Sequence, residues 1–312
     1  MEKEYHTVTP DEFSDLIGAD KNAFIKEYGE RVAKANLQYA RFDAEERAQL
    51  VRSIHKKIEH KEFSMAGAEG KPRWETGWKE NLERYVSEEH RTEALLPRYI
   101  RPHQPIRIYQ DYAKTNNGDF EWQFAKIYKH WLFKKYFSTV KNIYEFGCGS
   151  AINLALLSDI LPDKKFFGAD WVQPSVDTVN LFAQKNQKDM SGTLFDMFEP
   201  DESFTILPES GILLFSALEQ LGSNYTQFID YVIRQKPDIV VVADTFDELY
   251  DPAVEADKCA IAFSEARNYL KHFFTYLREL EQQGKVKIIK IHRIPFGSLY
   301  IEGYSHIIWK PT

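Results

Sequence analysis

Hydrophobic positions follow two regimes along this chain. Up to about residue 104 they recur at helical spacing. Thr9-Pro10-Asp11-Glu12 combines a cap, a proline at the first helical position and a returning glutamate, which together start a helix. Asp43-Ala44-Glu45-Glu46 is a second capping-box start, ahead of Leu50, Val51, Ile54 and Ile58 on one helical face. Residues 67–72 read as a loop and 74–86 as a third helix. Pro97, Pro102 and Pro105 then interrupt regular structure. The expected division is a helical region over 1–104 and a second unit over 105–312.

In the second unit, short apolar runs alternate with helical segments. An aromatic-rich helix is expected over 120–137. Strands are expected at 143–146, 166–169, 194–195, 212–215 and 239–242, with helices at 151–161, 174–185 and 228–233. Ile239-Val240-Val241-Val242 is continuously apolar, as in a parallel strand buried on both faces. One long helix is expected from there to Gln283, stopped by Gly284. Two closing strands, 286–294 and 304–309, form a hairpin. Five β–α units and this hairpin predict a doubly wound, seven-stranded α/β sheet.

The most informative run is Asn142-Ile143-Tyr144-Glu145-Phe146-Gly147-Cys148-Gly149-Ser150-Ala151. It reads as a buried strand, a glycine turn and a helix start. Such a turn brings backbone N–H groups and a positive helix end close to a polar ligand. A dinucleotide fingerprint needs a third glycine at position 152, where Ile152 stands, which disfavours a nicotinamide-dependent oxidoreductase. Asp170 ends the second strand about twenty residues after the glycines, where a carboxylate can accept both hydrogen bonds of a ribose diol. Trp171 beside it is either an adenine platform or an ordinary loop aromatic.

Glu145, Gly147 and Gly149 resemble motif I of the class I S-adenosylmethionine (SAM)-dependent methyltransferases, with Ala151 in place of its last glycine. The resemblance spans about residues 105–312. It implies a Rossmann-like fold, SAM as cofactor and S-adenosylhomocysteine as product. It also implies an antiparallel last strand inserted beside the fifth. Asp196 and Met197 occupy the places that read the adenine in that family, and Ser216 borders its methyl-donor pocket. Ser216-Ala217-Leu218-Glu219-Gln220-Leu221 is similar to the Leu-Glu-His-Leu segment of many small-molecule methyltransferases, with Gln220 replacing histidine. This makes Glu219 a catalytic candidate beside the plainer reading of a helix-start residue.

The topology puts the acceptor beyond the carboxyl ends of the parallel strands. Candidate acceptor contacts are Tyr109, Tyr112 and Trp122 before the first strand, Asp244 after the fifth, and Tyr300 and Tyr304 around the terminal hairpin. His306 is the first candidate base, since histidine titrates near neutral pH. Its plainer reading is a hydrogen-bonded strand residue.

The composition narrows the rest. The formal net charge of −7 disfavours a nucleic-acid substrate. Two cysteines, Cys148 and Cys259, make neither a zinc pattern nor a disulfide framework, and no histidine pair has metal-ligand spacing. No apolar run reaches the length of a membrane span, and the charged first residues carry no apolar leader. The expected protein is a cytoplasmic SAM-dependent enzyme without a bound metal, methylating a hydroxyl or amine of a small polar molecule. A peptide or protein methyltransferase and a non-catalytic SAM-fold binding protein remain as alternatives.

Overall fold

The computed structural model describes residues 4–312. The N-terminal elements are β1 (His6–Thr7), α1 (Pro10–Ile17), α2 (Lys21–Ala35), β2 (Gln38–Arg41), α3 (Ala44–Glu59) and α4 (Lys71–Ser87). Then come β3 (Ile106–Ile108), β4 (Asp111–Thr115) and α5 (Phe120–Phe137). The alternating part runs β5 (Asn142–Phe146), α6 (Ile152–Ile160), β6 (Lys165–Asp170), α7 (Gln173–Asn186), β7 (Met190–Leu194), β8 (Ser210–Phe215), α8 (Thr226–Gln235) and β9 (Ile239–Asp244). It closes with α9 (Glu255–Arg267), α10 (Phe273–Gln282), β10 (Val286–His292), β11 (Phe296–Gly297) and β12 (Ser305–Pro311).

The large sheet has the order β10-β12-β9-β8-β5-β6-β7. Strands β7, β6, β5, β8 and β9 are parallel, and β12 enters antiparallel between β9 and β10. Its continuously apolar strands feed two cores at once. Leu213, Val241, Ala243 and Ile308 face one cluster, with α1, α2 and α5. Ile212, Leu214, Val240, Val242, Ile307 and Trp309 face the other, with α8 and α10. The two-residue alternation of a strand divides one apolar run between two helical layers.

Both expected caps form at the N-terminus. Glu12 N–H donates to Thr9 Oγ1 at 3.2 Å while Thr9 N–H donates to Glu12 Oε2 at 2.8 Å, and Asp43 with Glu46 does the same for α3. Three expectations change. The third strand runs over Met190–Leu194 rather than 194–195, because this edge strand carries polar Ser191 and Thr193 and so shows no apolar run. The long helix after the fifth strand is α9 and α10, separated where Asn268 and His272 take left-handed conformations at φ 52° and 57°. The region before residue 104 is not purely helical either. Strands β1, β2, β4, β3 and β11 form a second, antiparallel sheet in that order. The expected division at 104/105 runs through it, because its strands come from residues 6–41, 106–115 and 296–297.

A buried ion network ties this small sheet to the rest. Arg107 Nη2 lies 2.6 Å from Asp257 and 3.1 Å from Glu302, and Arg293 reaches the same carboxylates at 2.7 and 2.8 Å. Two cations and two anions thus neutralise one another where β3, α9 and the β10–β12 connection meet. Desolvation makes such a network weak evidence for stability, but it specifies which surfaces dock.

The helix α4 packs against α7: Tyr85 meets Phe182, and Asn186 Nδ2 donates to the Tyr85 hydroxyl at 3.3 Å. This docking carries the N-terminal half of α4 over the end of β5.

Candidate active site

The turn after β5 is strongly bent. Gly147, Gly149 and Ala151 have φ of 74°, 50° and 63°. All three are left-handed, so the small side chain of Ala151 occupies a position glycine would take at lower cost. A Cβ on Gly147 would lie 2.5 Å from Ala217, and one on Gly149 would lie 2.7 Å from the Trp78 indole. The turn is therefore clamped between the segment after β8 and the α4 roof.

Asp170 stands at the end of β6 and is only 4% exposed. Its Oδ2 accepts from Gly149 N–H at 2.9 Å and its Oδ1 from Val172 N–H at 3.3 Å. Burial raises its pKa to about 6, and these amide donors oppose the rise.

A cleft opens above this carboxyl. Gly147, Asp170, Trp171, Asp196, Met197 and Ser216, each expected to contact the cofactor, all line it. Trp171 stacks on Phe198 with ring centres 5.5 Å apart. Trp74 and Trp78, one turn apart on α4 and stacked at 5.4 Å, supply another aromatic wall. Asp196 Oδ1 accepts from Phe198 N–H at 2.9 Å, which fixes the loop after β7. A flat apolar slot with a carboxylate at its edge suits a nucleoside.

Glu145 and Gly149 do not line this cleft. Gly149 lies beneath Trp78. Glu145 is fully buried under the turn, where its Oε1 accepts from Asn153 Nδ2 at 2.7 Å and its Oε2 has no hydrogen-bond partner among the described residues. Burial raises its pKa to about 8. Lys129 on α5 is lowered to about 8, by burial first, while Glu145 and Glu121 pull it back. Its ammonium lies 4.3 Å over the Phe215 ring.

Beyond β8 and β9 two carboxyl groups meet. Glu219 N–H donates to Asp244 Oδ2 at 3.2 Å, and Thr245 N–H donates to Oδ1 at 2.7 Å. Burial and then the Glu219 charge raise Asp244 well above the usual carboxylate range. Gln220 Nε2 donates to Glu219 Oε1 at 3.2 Å, and the Glu219 carboxyl and Gln220 amide also face Asp244 and Tyr269. Tyr99 is half exposed, but its hydroxyl end is raised by burial and then by Glu219, Glu121 and Glu145. Tyr269 is pushed up to about 12 by burial and then by Glu219. Trp74, Trp78, Tyr99, Lys129 and Tyr269 were not among the sequence candidates. Only the i, i+4 spacing of the two tryptophans gave a local signal, and it reads equally as a core stripe.

The acceptor candidates disperse. His306 is 0% exposed in the core, with Nδ1 3.1 Å from the Tyr128 hydroxyl and its ring 5.9 Å from Trp131. Burial, then His292, Lys290 and Lys135, hold its pKa down at about 3. Tyr304 shares its face, as strand alternation requires, and donates to Glu121 Oε1 at 3.1 Å. That face is covered by α5, so the base expected at His306 cannot meet an acceptor. His306→Ala should cost about 1–3 kcal/mol through the unpaired Tyr128 hydroxyl. Melting temperature and methyl transfer measured on one preparation should show lower stability with activity per folded molecule retained.

Tyr112 is also core, beside Ile54, Ala256 and Cys259. Tyr109 is on the small sheet near Glu12, Asp15 and Tyr39, and its N–H donates to the Pro295 carbonyl at 2.8 Å. Tyr300 stacks on Phe263 at 4.7 Å and accepts from Lys57 Nζ at 3.4 Å. Trp122 packs under Lys126 and Lys129. Of the six, only Asp244 sits against Glu219. Away from the cleft, His55, Glu255 and Cys259 bring ligand-type atoms within 4.8 Å of one another where α3 meets the start of α9. No helix among the described residues is long and apolar enough to cross a membrane.

No protein-family model and no curated protein matches this sequence. Solved structures of SAM-dependent methyltransferases do match its fold. One, a SAM-dependent methyltransferase from Aquifex aeolicus, is 13% identical, with 59% of this chain and 88% of that one covered and a TM-score of 0.41. A plantazolicin methyltransferase in complex with SAH is 12% identical, with coverage of 60% and 82% and a TM-score of 0.42. An rRNA methylase from Escherichia coli is 15% identical, with 76% of each chain covered and a TM-score of 0.44.

Proposed function

We propose that this protein is a SAM-dependent methyltransferase acting on a hydroxyl or amine of a small polar molecule. The observation that carries this reading is the meeting of Gly147, Asp170, Trp171, Asp196 and Met197 in one aromatic-walled cleft above a left-handed glycine turn. The donor and acceptor chemistry fits SAM. The Asp170 carboxylate, an acceptor, suits the two hydroxyl donors of a ribose. The aromatic walls suit a purine.

SAM supplies an electrophilic methyl group on a sulfonium. The chain's part is then to hold and orient an acceptor, exclude water and take up a proton. Glu219 and Asp244 replace His306 in that role. Two adjoining buried carboxyl groups with one raised well above the usual range share a proton, so one can accept a hydrogen bond from the acceptor while the other stays neutral. The α4 tryptophans over the turn favour a small acceptor over an open peptide groove.

Calorimetry should give micromolar binding of S-adenosylhomocysteine, about −8 kcal/mol, and no measurable binding of NAD. Binding of NAD without S-adenosylhomocysteine would overturn the reading. A screen of amines and alcohols with methyl-labelled SAM then identifies the acceptor.

A further inference from the structure

Two partly buried arginines beside the cleft each have one buried guanidinium nitrogen with no hydrogen-bond partner among the described residues. Arg73 lies in the first turn of α4, and Arg267 is the last residue of α9. The chain just before α4 is fastened to the end of α9. Ala66 N–H donates to the Arg267 carbonyl at 2.7 Å, and Asn268 Nδ2 donates to the Ala66 carbonyl at 3.4 Å. This sets the start of α4 near the end of α9, where Arg73 feels the Arg267 charge.

Each guanidinium is seated on aromatic faces. Arg73 lies 5.1 Å over Trp74, and Arg267 lies 4.9 Å over Tyr269 and 5.7 Å over Phe263. Arg73 Nη2 and Arg267 Nε are buried and have no hydrogen-bond partner among the described residues. Burial and then the Arg267 charge lower the pKa of Arg73. Two neighbouring like charges, each with one buried unpaired donor, favour an anion that offers acceptor oxygens to both.

Their surroundings tie them to the acceptor. Trp74 and Gln220 both line the cleft. Tyr269, under the Arg267 guanidinium, also feels Glu219 and Asp244 and interacts with Gln220. One tyrosine thus separates a cationic pair from a carboxyl pair. We propose that Arg73 and Arg267 together bind a phosphate or carboxylate group of the methyl acceptor and so turn its nucleophile toward Glu219 and Asp244. This assignment rests on the methyltransferase reading. The forked guanidinium geometry suits a two-oxygen anion, and aromatic seating limits the rotamer freedom lost on binding.

The test titrates the full chain with inorganic phosphate and, separately, with acetate at constant ionic strength, each with and without S-adenosylhomocysteine. Binding of at least one anion is expected, and the stronger one tells whether the acceptor carries a phosphate or a carboxylate. Arg73→Gln and Arg267→Gln should each weaken it about tenfold or more, as loss of a charge-assisted contact does. Affinity for S-adenosylhomocysteine should stay within about twofold, and the ligand-free melting temperature should hold or rise as like-charge repulsion is relieved.

Absence of anion binding, or its survival in both variants, would overturn the proposal. A parallel loss of S-adenosylhomocysteine affinity would also overturn it, by giving the pair to the cofactor's own carboxylate. If a glutamine variant fails to fold, Arg73→Lys and Arg267→Lys, which keep charge but lose the fork, serve in its place: weaker anion binding supports the proposal and unchanged binding defeats it. Anion binding by a chain that never binds S-adenosylhomocysteine would sink the methyltransferase reading and leave the anion site standing.

Discussion

Asp170→Ala is expected to lower affinity for S-adenosylhomocysteine at least about tenfold. The substitution removes up to two charge-assisted hydrogen bonds to a ribose diol, each worth about 1.5–3 kcal/mol. It also releases the Gly149 and Val172 amides that the carboxyl now holds. That loosens the turn on which the ligand rests and costs about 1–3 kcal/mol of ligand-free stability. Calorimetry below the melting transition separates the two effects.

The pH dependence has a definite sign. The folded pKa of Asp170, about 6, is above the ordinary carboxylate value. The stability linked to this group is therefore complete below the unfolded pKa and is lost as pH rises through about 6. Cofactor affinity runs the other way, because the diol needs the ionised form. It should rise with pH, by up to about tenfold per unit, until Asp170 is ionised. Asp170→Asn should flatten that rise. An alanine variant with unchanged affinity would return Asp170 to the role of a turn residue.

Glu219→Gln should slow methyl transfer by roughly 10²–10⁴, the usual range for lost general acid–base catalysis, with S-adenosylhomocysteine affinity little changed. The substitution keeps the shape and removes the charge that raises Asp244. Stability should change little, because the amide can keep the hydrogen bond with Asp244 that the shared proton now makes. A structural role would give the reverse, with a lower melting temperature and full activity per folded molecule. Measuring single-turnover rates and melting curves on the same sample decides between them. Asp244→Asn is less clean, since Asp244 also receives the amides of Glu219 and Thr245.

Several features needed only nearby residues and were legible in the chain. Thr9 with Glu12 and Asp43 with Glu46 close their caps within one helical turn. The valines of β9 specify a doubly covered strand because their alternation leaves no polar face. Gly147, Gly149 and Asp170 belong to one β–α–β unit, so their mutual placement follows from strand length and a single crossover. Even Ala151, an exception to the glycine pattern, occupies the same left-handed turn.

Other features depended on which distant surfaces fit together. Strand alternation correctly put Tyr304 and His306 on one face, but nothing local says that α5 covers it and turns a candidate base into a core residue paired with Tyr128. The two-residue strand β11 has no periodicity to read, and only its docking on β3 closes the small sheet through the 104/105 division. Trp74 and Trp78 look like an ordinary apolar stripe until the packing of α4 on α7 sets them over the glycine turn. Arg73 and Arg267 are 194 positions apart, and no short-range pattern pairs them. Hydrogen-bond geometry and side-chain period act over a few residues, and they determined most elements, the large sheet and the glycine turn with Asp170 beside it. The α4 roof, the meeting of Glu219 with Asp244 and the burial of His306 came from long-range packing, where burial and shape complementarity between separately formed surfaces select one arrangement.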